Sequence, residues 1–97
     1  MKQPIPNAKQ SSPIDQHKVK QMLDTLRWEF KTLSAKKPND PVNEFKLKCI
    51  NDVLAGCNEI LQAGRPYEHF TQFEPETLPT NSDVALMIDL YFTLMPK

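Results

Sequence analysis

Nine prolines in 97 residues, at positions 4, 6, 13, 38, 41, 66, 75, 79 and 96, set where this chain can and cannot be helical. A proline inside a helix removes a ladder hydrogen bond, and its ring clashes with the preceding turn, so helices must fit between prolines. The windows 14–37, 42–65 and 80–95 are free of proline and rich in apolar residues. Apolar helical windows separated by proline-bearing connections predict an all-α fold, a three-helix bundle.

In the first window Val19, Met22, Leu23, Leu26, Phe30 and Leu33 recur at three-and-four spacing, which puts them on one stripe of a helix over about 14–36. Ser12 and Pro13 mark its start, with Asp15 placed near the positive end of the helix dipole. Lys36, Lys37 and Pro38 mark its end. Asn39, Asp40 and Pro41 then read as a cap followed by proline at the first helical position, starting a second helix over about 41–63. Along it Val42, Phe45, Cys49, Val53, Cys57 and Ile60 line one face, and Leu47, Ile50, Leu54 and Leu61 widen the apolar arc to roughly 200°. An arc of that width serves two neighbours, so this helix is expected in the middle, antiparallel to the first. Gly64 is placed to supply a left-handed terminal residue before Pro66. Thr80 with Asp83 three residues on resembles a capping box for a third helix over about 81–95.

Residues 1–13, MKQPIPNAKQSSP, offer few apolar side chains and are expected to be a flexible N-terminal arm ahead of a single helical domain over 14–97. Residues 65–80, RPYEHFTQFEPETLPT, form an aromatic and proline-rich connection, and Tyr67, Phe70, Phe73 and Leu78 imply that it packs rather than floats. With 39% hydrophobic and 25% charged residues the composition is globular. A core of this size is marginal, and oligomerisation is one ordinary remedy.

The 12 basic and 12 acidic side chains cancel overall, yet residues 1–48 hold ten basic against five acidic, and residues 49–97 hold two against seven. A +5 half followed by a −5 half fits an anionic partner for the first, or two halves that attract each other on folding. Cys49 and Cys57 lie on one helix, about 12 Å apart along its axis, too far for a bridge. No leader of signal-peptide type and no apolar run of about 18 residues is read, so the expectation is a cytoplasmic protein with no membrane role.

The third helix is the most unusual element. Val84, Ala85, Leu86, Met87, Ile88, Leu90, Tyr91, Phe92, Leu94 and Met95 leave only Asp89 and Thr93 as an internal polar strip. Its circumference must be met by the aromatic connection, by a second copy, or by another protein. The expected interface is Leu86, Met87, Leu90, Tyr91, Leu94 and Met95, in a homodimer or an adaptor or regulatory protein. The competing expectation is nucleic-acid binding through Lys20, Arg27 and Lys31 on one flank of the first helix, with Trp28 as a stacking platform. Against it, Lys20, Asp24 and Arg27 also suit a local salt-pair ladder.

An enzyme is not expected. HExxH, CxxC, GxSxG and glycine-rich phosphate loops do not occur, and two glycines in the whole chain effectively exclude a phosphate cradle. Cys49 and Cys57 fit buried small hydrophobes better than nucleophiles or zinc ligands, and His17 and His69 are isolated from each other. No cofactor, metal or small-molecule substrate is inferred.

Overall fold

The computed structural model describes residues 15–96 as an all-α three-helix bundle. The helices are α1 (Gln16–Lys36), α2 (Glu44–Leu61), which runs on into a 3-10 turn at Gln62–Gly64, and α3 (Asn81–Leu94). The expected arm, with the Ser12–Pro13 start signal, lies outside the described residues.

The ends of the helices follow from side-chain acceptors. Asp15 Oδ1 accepts from the Lys18 amide at 3.1 Å, so Asp15 is the cap of α1 rather than a first-turn acid. Thr80 and Asp83 close the expected capping box on α3. The start of α2 differs from expectation: Asn43, not Asn39 or Asp40, is the cap, its Oδ1 accepting from Lys46 N at 2.8 Å. The preceding backbone is extended because α3 needs it. Asn81 N donates to Asp40 O at 2.9 Å, Ser82 N donates to Pro38 O at 3.1 Å, and Val42 N donates to Pro79 O at 2.9 Å. Pro41 and Thr80 form an isolated antiparallel bridge there, and Asn81 Nδ2 reaches Lys37 O at 2.9 Å. The end of α2 differs too. Gln62 carries the positive φ, at 53°, instead of Gly64, a conformation that costs a non-glycine residue on the order of 1–3 kcal/mol.

Pairings along the chain fix the directions. Lys46 Nζ, in the first turn of α2, meets Glu29 Oε2 in the second half of α1 at 2.7 Å, and Val19, in the first turn of α1, lies against Gly56 in the second half of α2, so α1 and α2 are antiparallel as expected. Asn81 sits by Lys37 and Pro96 by Lys20, so α3 is also antiparallel to α1. A Cβ placed at Gly56 would stand 3.3 Å from Val19 Cγ2, which marks the close approach of α1 and α2.

Since α2 and α3 run parallel, the connection between them must return along the bundle. It does so as a strap pinned by two asparagines of α2. Asn51 Nδ2 donates to Phe73 O and Phe73 N donates to Asn51 Oδ1, both at 2.9 Å. One turn-pair further on, Asn58 Nδ2 donates to Thr71 O at 3.1 Å. The strap seats Phe70 5.1 Å from Phe73, edge to face, and 6.4 Å from Tyr91 of α3.

The core joins Leu23 and Phe30 of α1, Leu47, Ile50, Val53, Leu54 and Cys57 of α2, Val84, Ile88 and Tyr91 of α3, and Val42 and Met95 at the helix margins. Phe45 departs from the expected stripe and is 75% exposed. The stripe counted from Val42 assumed that Val42 was helical; it enters the core from extended backbone, and the inward face of α2 is centred on Leu47, Ile50 and Leu54 instead.

Candidate interaction surface

The inward stripe of α3 is Val84, Ile88, Tyr91 and Met95, spaced by four, three and four residues, the repeat that keeps side chains on one face. The six expected interface residues therefore divide. Tyr91 is fully buried, and its hydroxyl donates to Asn58 Oδ1 at 2.5 Å, which supplies the partner a buried phenol needs. Burial holds that hydroxyl above its ordinary pKa. Met95 is buried as well, and Met87 and Leu90 are half-buried. Leu86 and Leu94 face solvent, at 63% and 46% exposure. Tyr91 and Met95 thus belong to the core, and what remains outside is a ridge of Leu86, Leu90 and Leu94, one turn apart each.

The strap covers only one flank of α3. Phe70 and Phe73 pack against the core, whereas Tyr67 stays 56% exposed. Beside the ridge stand Asp83, Asp89 and Thr93, and α3 carries no basic residue. Asp83 serves the capping box, while Asp89 forms no salt bridge among the described residues.

Along the seam between α1 and α3 the structure brings together all four residues of the competing expectation. The Arg27 guanidinium lies 4.3 Å from the Phe92 ring centroid and 5.3 Å from the Trp28 ring, and its Nε meets Asp24 Oδ1 at 3.1 Å. Lys31 Nζ is 5.0 Å from the Trp28 ring. Lys20 Nζ is 5.5 Å from the Phe92 ring and donates to Pro96 O at 3.2 Å. Of the expected Lys20–Asp24–Arg27 ladder only the Asp24–Arg27 rung closes. Phe92 is the member that sequence reasoning missed: its role depends on α1 being its neighbour, which the periodicity of α3 does not encode.

A second apolar surface, also missed, opens between α1 and α2. Met22, Leu26, Cys49 and Val53, with Thr25 and Asp52, line a shallow cleft of about 290 Å³, and Phe45 projects one turn before Cys49. Both cysteines are free, Cys49 half-buried and Cys57 fully buried. Burial pushes the Cys57 thiol up to about 11, the opposite of what a nucleophile needs.

His17 and His69 are exposed. Among the described residues no group of three metal-ligating side chains gathers, and no helix is long and apolar enough to cross a membrane.

Comparisons of this chain with models of protein families, with curated proteins and with solved structures find no match.

Proposed function

We propose that this chain is a small protein-interaction module, a homodimer or an adaptor or regulatory protein without catalysis of its own, and that it engages its partner through the outer face of α3. The observation that carries this is the Leu86–Leu90–Leu94 ridge on a helix whose inward stripe is already filled by Val84, Ile88, Tyr91 and Met95. Leu86 and Leu94 lie outside the core. Leucines on successive turns, two of them exposed, fit the groove of a facing helix. Two unbridged cysteines suit a reducing compartment, and the cytoplasm goes with this proposal.

Binding of a nucleic-acid strand by Lys20, Arg27, Lys31 and Trp28 is less well supported, although the four are adjacent. Asp24 already neutralises Arg27, and both nearby cations lie at the Trp28 ring, where a base would have to stack.

A photo-crosslinking amino acid at position 86, introduced in cells, tests the proposal. Covalent capture of a protein, this chain or another, at position 86 but not at the strap position Glu76 is the expected result. Capture at position 45, beside the α1–α2 cleft, with none at 86 would place the interface elsewhere and overturn it.

A further inference from the structure

We infer that the partner on α3 is a second copy of this chain, joined about a twofold axis parallel to the helices so that α1 of each copy packs on α3 of the other. This rests on α3 being the interface and adds the identity and geometry of its occupant.

The two helices that share the outer seam carry opposite charge. Lys20, Arg27 and Lys31 of α1 stand along it, and among the described residues only Arg27 of the three is neutralised, by Asp24. On the other side α3 presents Asp89 and no base, Asp83 being held in the capping box of its first turn. The exposed face formed by this antiparallel pair therefore has a cationic half with Trp28 and an anionic half with Leu86.

A face of two antiparallel helices can be stacked on its own copy by a twofold axis in two ways. An axis in the interface and perpendicular to the helices sets α1 on α1 and α3 on α3, so cations meet cations and Asp89 meets Asp89. An axis parallel to the helices sets each α1 on the partner's α3, with the opposite charges facing. Complementarity selects the second, and the like-charge encounter disfavours the first. The result is a four-helix arrangement of two α1 and two α3 helices, in which each copy gives and receives the same contact.

The register then names the pairs. Within one copy Lys37 is level with Asn81, Arg27 with Phe92 and Lys20 with Pro96. A twofold axis parallel to the helices preserves height. Trp28 and Lys31 of one copy therefore stand opposite the middle of the other copy's α3, where Leu86, Asp89 and Leu90 face outward or half-outward. Lys31 and Asp89 are both exposed, so their substitution does not disturb the core. The pairing gives Trp28 the exposed Leu86 side chain to cover and gives Asp89 a cation.

Charge exchange between copies tests this geometry. Lys31→Glu and Asp89→Lys are each purified as full chains, and each is measured alone and in equimolar mixture by sedimentation equilibrium, with helicity by circular dichroism as the check on folding. Each variant alone sets like charges at both symmetric pairs and is expected to dimerise at least about tenfold more weakly than the wild type. In the mixture, the glutamate introduced in one chain would meet the lysine introduced in the other, while native Lys31 meets native Asp89, so a heterodimer of near wild-type affinity is expected. A wild-type chain that stays monomeric overturns the self-pairing and leaves the crosslinking result at position 86 to decide whether α3 serves another protein. A wild-type dimer unaffected by either variant, or a mixture no tighter than the separate variants, overturns the α1-on-α3 geometry.

Discussion

Replacing Asn51 with alanine removes the one side chain that reads both backbone groups of Phe73. Its amide makes two bonds of 2.9 Å in a part-buried site, one donated to the carbonyl and one accepted from the N–H. Each such bond contributes about 0.5–1.5 kcal/mol net, and the Phe73 groups left without partners add to the loss, so about 2–3 kcal/mol is expected. That is a large fraction of the roughly 5–15 kcal/mol available to a domain. For a domain of this size about 1 kcal/mol moves the midpoint by roughly 4–8 °C, so Asn51→Ala is expected to melt roughly 10–20 °C below the wild type. Circular dichroism at 222 nm gives the midpoint, and hydrogen exchange at residues 70–73 reports whether the strap lifts before the bundle unfolds. Lys48→Ala, an exposed change on the same helix, is expected to stay within about 0.5 kcal/mol. If Asn51→Ala melted with the wild type and left exchange at Phe73 unchanged, the strap would not be held by this clamp.

Tyr91→Ala is expected to destabilise by about 3–5 kcal/mol through loss of a fully buried aromatic ring, whereas Leu86→Asp is expected to change stability by less than about 1 kcal/mol; urea denaturation of both variants distinguishes core from surface on α3. An aromatic disulfide reagent should titrate Cys49 in the native protein and Cys57 only on unfolding, which a stopped time course at neutral pH reads directly. The Cys57 thiol ionises near 9 when unfolded and near 11 when folded, so the unfolded state sheds its proton first. Stability therefore falls as pH rises from about 9 toward 11 and is untouched by this group below 9; the difference between wild type and Cys57→Ala in denaturant midpoints over that window isolates it. Gly56→Leu should cost about 1–3 kcal/mol by forcing α1 from α2 at Val19.

How far the fold was legible depends on which interactions were local. The α3 capping box spans three residues and was readable because both partners lie within one turn. The stripe of α1 was readable as periodicity, with Leu23 and Phe30 in the core, whereas α3, apolar on nearly all sides, offered no such stripe. The start of α2 was not, since Asn39, Asp40 and Pro41 have the composition of a helix start, and what draws them out of a helix is Asn81 and Ser82, some forty residues away. Phe45 followed that error outward. On the candidate surface, Tyr91 and Met95 could not be separated from Leu86 and Leu94 by hydropathy alone. That division depends on where α1 and the strap press on α3, which is set by Asn51, Asn58 and the seam of Arg27 with Phe92. That Arg27 and Lys31 stand beside Trp28 could be read from their spacing on a single helix, the kind of neighbourhood that sequence does encode.

We propose that this chain associates through the outer leucines of α3. Sedimentation equilibrium of the wild type and of the Leu86→Asp, Leu94→Asp double variant, from low to high micromolar concentration, tests it most directly. The expected result is a dimeric wild type and a monomeric variant of unchanged helicity, because both leucines lie outside the core of the single chain. A variant that dimerises as the wild type does would contradict it.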